Sequence, residues 1–270
     1  MLNPEVRLHP EARQLVTEVE ERTGGPVRIE EVAGLQVLSN VTGGTEAGGA
    51  GLVVRVREGS SFLDYLVAFQ AVKLLRAWSL PESERRRFVP AAPAIPWARG
   101  LLETHLKERR TKVQRQALQA MAEALVDGLA AQLRAIPGGM RVDEELASRC
   151  PSLAPQQAAA LAVEAKEALS SLDPDARTAV PDDVVAASVI LNCVRALFDD
   201  RLLKSDHAKP YAEEGFRELG EAFLALYDAA PKGPAGDASV IDAWAAHLGM
   251  SERFRWLPVE PGRSYLDLTG

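Results

Sequence analysis

Aromatic residues are scarce in this chain, at 6%, and only two cysteines and four histidines occur in its 270 residues. Cys150 and Cys193 are too few and too far apart for a disulfide framework or a cysteine zinc site, and two small buried thiols are expected. None of His9, His105, His207 or His247 has another His or Cys at ligand spacing, so each is expected to be structural or to lie at the surface. Cationic excess is also lacking: 31 basic residues face 38 acidic ones, for a net charge of -7. That balance argues against non-specific binding to nucleic acid, which runs on cationic contacts to phosphate, but leaves room for a local basic patch. No stretch approaches ~18 uninterrupted apolar residues, so no membrane span is expected. The opening Met1-Leu2-Asn3-Pro4-Glu5 has no basic segment leading into an apolar one, so no secretory leader is expected and the cytoplasm is the expected compartment. The glycines of Thr42–Ala50 lack the Gly-Lys-Ser/Thr of a phosphate loop, and no Gly-x-Ser-x-Gly nucleophile elbow occurs.

What is present points to helices. Hydrophobic residues at 47% and charged residues at 26% suit a globular protein with a substantial core, and Ala and Leu dominate the apolar set. A first helix is expected over 10–23, with Ala12, Leu15, Val16 and Val19 on one stripe and Gly24-Gly25 stopping it. Strand-like runs follow at 26–32, 35–40 and 52–56, the last two separated by the glycine-rich tip. Phe62–Trp78 is a strong helix with Phe62, Leu66, Phe69, Val72 and Leu75 at core spacing, Ser61 as its cap and Asp64 as the acidic partner of a capping box. Residues 81–96 form a polar, proline-rich connector, and a soft boundary is placed there. Beyond it only helices are expected. The first runs from Trp97 to Ile136, with Arg110 as its point of weakness and Gly138-Gly139 as its end. Others follow at 142–149, 155–171, 181–203, 213–227 and 238–248, the last capped by Asp237. In 181–203 the expected stripe is Val184, Ser188, Leu191, Val194 and Phe198. An extended tail follows from Phe254, whose Trp256, Leu257, Tyr265 and Leu266 are expected to pack on the body. The fold class is therefore α+β, mainly α: a small N-terminal sheet over residues 1–95, then a helical bundle over 96–270.

One pattern carries information by what it has lost. The strand Val53-Val54-Arg55-Val56 is followed by a helix containing Ala68-Phe69-Gln70-Ala71-Val72-Lys73-Leu74-Leu75. Over residues 10–105 this order resembles the front of small zincin metallopeptidases related to radiation-response regulators and repressor-cleaving proteins, whose helix carries Ala-His-Glu-x-x-His-Leu-Leu. The flanking Ala68, Leu74 and Leu75 match that motif. In the family, two His four residues apart bind one Zn²⁺ and the Glu takes a proton from the metal-bound water. Here Phe69 offers no lone pair, the neutral Gln70 amide cannot act as a base, and Lys73 sets a cation where the metal would sit. The resemblance implies a scaffold without metal, cofactor or catalytic residue. Glu103 and His105 stand where such families take a third ligand, and neither suffices alone.

Other candidates are weaker. Asp206, His207 and Tyr211 form a titratable helix-to-loop segment that could line a cleft together with Glu103 and His105. Arg85, Arg86 and Arg87, with Lys107, Arg109, Arg110, Lys112 and Arg115, could form a basic patch, though no aromatic residues interleave as stacking platforms. Asp173-Pro174-Asp175 and Pro181-Asp182-Asp183 read as helix starts, and Asp199-Asp200 as surface carboxylates at a helix end. The functional expectation is a non-catalytic zincin-like protein that works by protein–protein binding, with a protein partner or a second copy of itself. The alternatives are a nucleic-acid-linked regulator using 107–115, and an enzyme whose site lies in the helical half.

Overall fold

The computed structural model describes residues 7–43 and 51–259. The chain is mainly helical with a small amount of sheet, the expected α+β class. It divides into two compact units, one of residues 1–85, 138–164 and 258–270, the other of 86–137 and 165–257. Where sequence suggests one boundary near residue 95, the chain passes between units after Arg85, Pro137, Glu164 and Leu257.

In the first unit, helix α1 (Pro10–Thr23) ends at Gly24, whose φ of 67° is the left-handed cap that glycine adopts without penalty. Strands β1 (Val27–Val32), β2 (Ser39–Gly43) and β3 (Leu52–Arg57) form a sheet in the order β1-β3-β2. β3 runs parallel to β1, with Val27 opposite Leu52, and antiparallel to β2, with Val41 opposite Val54. The central position explains why β3 is apolar at four of its six residues: Leu52, Val53, Val54 and Val56 are all buried. β2 lies later than the run expected at 35–40, because register against β3 selects Ser39–Gly43. Helix α2 (Leu63–Trp78) packs with α1 and the sheet around a core of Leu15, Val19, Val54, Leu66 and Val72. Its N-cap is Phe62, with no side-chain cap. Asp64 instead accepts from the His9 amide (2.8 Å) and Gln156 Nε2 (2.9 Å), so the expected Ser61 capping box is replaced by a tertiary tie.

The second unit opens with β4 (Arg86–Pro90), a strand inside the supposed connector, which pairs with β5 (Phe254–Pro258). Phe88 stacks on Phe254 at 5.1 Å, which explains why this proline-flanked segment is ordered as strand. Tyr265 and Leu266 lie outside the described residues. Helix α3 (Ala94–Glu108) breaks near Arg110, as its sequence suggests, and α4 (Arg115–Arg149) follows. α4 does not end at Gly138-Gly139 but runs through Pro137 to Arg149. An internal Pro and two Gly cost about 3 and about 1 kcal/mol each. Burial outweighs them on both sides, through Val126, Leu129 and Leu133 before the proline and Met140, Val142 and Leu146 after it.

Helix α5 (Ala154–Ala168), the short α6 (Pro174–Ala179) and α7 (Asp182–Leu203) come next. α7 buries Val184, Leu191, Val194 and Phe198 of the expected stripe, with Ser188 half-buried, and it buries more besides. Ala187, Val189, Ile190, Leu191, Cys193 and Val194 are all buried, so the helix is covered on every side. The short α8 (Lys209–Glu213) leads to α9 (Arg217–Ala229) and α10 (Pro234–His247). α10 begins at Pro234 rather than Ala238, since proline suits a first turn. Trp244 is fully buried, and its Nε1 donates to the Phe223 carbonyl at 3.0 Å.

Candidate functional site

Helix α2 carries the three positions singled out in the sequence, Phe69, Gln70 and Lys73. Phe69 is half-buried against the first unit's core, its ring 6.0 Å from that of Tyr65. Gln70 is 4% exposed. Its Nε2 donates to Ser39 Oγ at 2.9 Å and to the Ser39 carbonyl at 3.2 Å. The Arg57 amide bonds to the Leu38 carbonyl, so in the antiparallel alternation Leu38 faces β3 and the Ser39 carbonyl points off the sheet edge. Gln70 takes up that outward carbonyl and ties α2 to the edge strand. Lys73, half-buried, follows Phe69 by one turn, so Tyr65, Phe69 and Lys73 share one helix face. The Phe69 ring supplies no lone pair for a metal, and the neutral Gln70 amide, its Nε2 donating to Ser39, is no base for water.

The same unit holds a polar constellation that sequence reading missed. Asp143, on α4, is fully buried. Its Oδ1 accepts from Tyr65 Oη at 2.8 Å and from Gln157 Nε2 at 3.0 Å, and Gln157 also reaches the Asp143 carbonyl at 3.1 Å. Gln156 accepts from the Tyr65 amide at 3.2 Å and donates to Asp64. One chain of bonds thus links the start of α2, the second half of α4 and the start of α5. Met140, Asp143, Leu146 and Cys150 form a helical stripe with one carboxylate in it. That carboxylate is a readable signal, hidden because the break expected after Gly138-Gly139 leaves Met140 outside the 142–149 helix and splits the stripe. Around it, Arg149 bridges Glu18 (2.7 Å) and Glu145 (3.0 Å), and Arg76 reaches Glu145 at 3.4 Å.

Comparison of the chain with known protein families, with curated proteins and with solved structures returns no match. Glu103 and His105 belong to the second unit, whereas α2 belongs to the first. Glu103 is exposed and pairs with Arg99 at 3.6 Å, and buried His105 places Nε2 3.0 Å from the Thr178 carbonyl. Among the described residues no three His, Cys, Asp or Glu side chains gather as a metal site would require.

Asp206 is exposed, His207 half-buried and Tyr211 only 1% exposed, so the three occupy different surroundings. The residue that organises their loop is Asp200. Its carboxylate accepts from the His207 amide (2.6 Å), the Ala208 amide (3.0 Å) and Ser205 Oγ (2.8 Å). Its neighbour Asp199 is not at the surface as expected: it is 1% exposed and paired with Arg195 at 3.0 Å. Burial pushes the Tyr211 hydroxyl up to about 12, against a smaller opposing pull from Ser171. Burial likewise raises the Cys193 thiol to about 11, with Arg217 pulling the other way. Both cysteines are buried and unpaired thiols. A thiol and a phenol held protonated in this way are poor nucleophiles near neutrality.

The basic residues divide into two groups. Arg85 donates from Nε to the Leu80 carbonyl at 3.1 Å, and Arg86 and Arg87 open β4. Lys107, Arg109, Arg110, Lys112 and Arg115 are all exposed on the α3–α4 connector and its flanks.

Proposed function

We propose that this chain is a zincin-like protein without peptidase chemistry, which works by binding another protein. The observation that carries this reading is the fate of Gln70. At the position where the family's general base would stand, the side chain is buried and its amide is spent on Ser39, holding helix to sheet. A packed phenyl ring and a lysine at the two ligand positions agree with it. The arrangement of α1, the sheet and α2 then serves as scaffold, and the chain's surface supplies recognition.

The test is a cleavage assay on the purified full-length protein. A mixed peptide library is incubated with it in the presence of zinc, cobalt or manganese and read by mass spectrometry. No cleavage above background is expected. Metal-dependent cleavage that vanishes in the Gln70→Ala variant would overturn the reading.

A further inference from the structure

The connector between α3 and α4 is electrostatically out of keeping with the rest of the chain. Residues 107–115 hold five cations against Glu108 alone, so this stretch carries +4 of a net -7 and leaves -11 elsewhere. Basic residues elsewhere are commonly matched: Arg76 with Glu145, Arg149 with Glu18, Arg201 with Asp228, Arg217 with Glu221. None of the five connector cations has a carboxylate within ion-pair distance among the described residues. Local structure explains only some of them. Lys107, Arg109 and Arg110 sit at the C-terminal end of α3, where the helix dipole favours positive charge. Lys112 and Arg115 sit at the N-terminal end of a 35-residue helix whose first turn contains no acidic residue. There the dipole opposes a cation, so these two charges cost stability, and no carboxylate among the described residues offsets them. Arg110 adds to this with φ 54°, a backbone region that glycine enters freely and arginine does not. Charges that run against their local field, without counter-ions, are where a functional ligand is expected.

Length and surroundings say which anion. The patch covers nine residues, with Val113 exposed in its middle at 37%. Aromatic platforms for unstacked bases are missing from it. His105, two residues before Lys107, contacts Thr178, and the exposed Asp173, Asp175, Asp182 and Asp183 lie within five residues of Thr178 along the chain. A long polyanion laid across the connector would run onto those carboxylates. A short one would end before them. We propose that residues 107–115 are the docking site for a short acidic polypeptide segment of a partner protein, its carboxylates meeting the five cations and an apolar side chain meeting Val113. This inference rests on the protein-binding reading above and names the chemistry of the partner.

The experiment uses the full chain and a fluorescein-labelled peptide of six glutamates flanking a leucine, with fluorescence anisotropy as readout. The peptide is expected to bind and to weaken as salt rises from about 0.05 M to about 0.3 M, since surface charge pairs are screened. The triple variant Arg109→Glu, Arg110→Glu, Lys112→Glu is expected to lose at least about tenfold in affinity. The double variant Lys166→Glu, Lys232→Glu, which reverses exposed lysines elsewhere, should bind like the parent. Far-ultraviolet dichroism checks that every variant is folded. Absence of peptide binding, or binding unaffected by the triple variant, overturns the proposal. So does tighter binding of a 12-mer DNA, single- or double-stranded, that the triple variant abolishes, which would make the ligand a nucleic acid. Each of these results leaves the cleavage assay untouched, so the two readings fail separately.

Discussion

Gly220 offers a sharp test of how the second unit is packed. It lies in the first turn of α9 against α7, and a Cβ built there would stand 2.7 Å from Cys193 Sγ, 2.8 Å from Leu197 Cδ1 and 3.5 Å from Cys193 Cβ. The first two distances are shorter than real contacts allow. Leu197 Cδ1 is the free end of a flexible side chain and can swing away. Cys193 is fully buried on a helix covered on every side, so its sulfur has little room. Overpacking of this kind costs about 1–3 kcal/mol. Alanine in a helix regains about 1 kcal/mol over glycine. Gly220→Ala should therefore destabilise by about 2 kcal/mol at most, once both effects are combined. In a Cys193→Ala background the sulfur is gone, Leu197 can still move and the contact with the remaining Cβ is ordinary. The same change should then cost close to nothing or stabilise slightly. Urea unfolding of the parent, both single variants and the double variant measures this coupling. A Gly220→Ala cost that is the same in both backgrounds would refute the close approach of α7 and α9.

Four further outcomes follow from the structure. Gly236→Ala should be more damaging, by at least about 3 kcal/mol, because its Cβ would lie 1.8 Å from the Pro231 carbonyl oxygen, and backbone cannot yield as a side chain can. No second-site change of a side chain should rescue it in a thermal melt. Tyr65→Phe removes the 2.8 Å bond to buried Asp143 and should cost about 1.5–3 kcal/mol, measured by chemical unfolding, while Asp143→Ala should cost more because it also takes the side-chain acceptor from Gln157 and leaves it only the Asp143 carbonyl. Alkaline stability should fall in a defined window. Cys193 and Tyr211 hold their protons more tightly folded than unfolded, so the stability they contribute is present below pH 9 and is lost as pH rises. The loss runs from 9.0 to about 11 for the thiol and from 10.0 to about 12 for the phenol. Cys193→Ala should remove the lower part of that decline. In the native protein neither thiol should react with a colorimetric disulfide reagent at neutral pH, and both should react in denaturant.

The legibility of this chain depends on scale. Elements defined by local periodicity are readable: α1 begins and ends where its stripe and its glycines say. β3 reads as a strand, though not as the central one, which only pairing decides. Errors come where distant burial overrides a local signal. Pro137, Gly138 and Gly139 spell a helix end, yet apolar residues on either side of them are buried and the helix continues. Residues 86–90 look like loop, yet Phe88 meets Phe254 some way down the chain and a strand forms. The site follows the same rule. Phe69, Gln70 and Lys73 can be picked out because their spacing is confined to one helix. That Gln70 is tied to Ser39, and that Tyr65, Asp143 and Gln157 share one buried knot, depends on which elements meet, and no spacing within a single helix announces it. The basic connector is visible as composition. What composition does not supply is that its charges lack counter-ions among the described residues while basic residues elsewhere are commonly matched.

The claim on which the rest depends is that the helix face bearing Phe69 and Lys73 does not hold a catalytic metal. Zinc content is its most direct measure. Full-length protein, purified without chelators and dialysed against zinc-containing buffer, should carry zinc well below one atom per chain by inductively coupled plasma mass spectrometry. Its thermal unfolding should be unchanged by a chelator. One zinc per chain, released together with a drop in melting temperature and lost in the Lys73→Ala variant, would contradict the account.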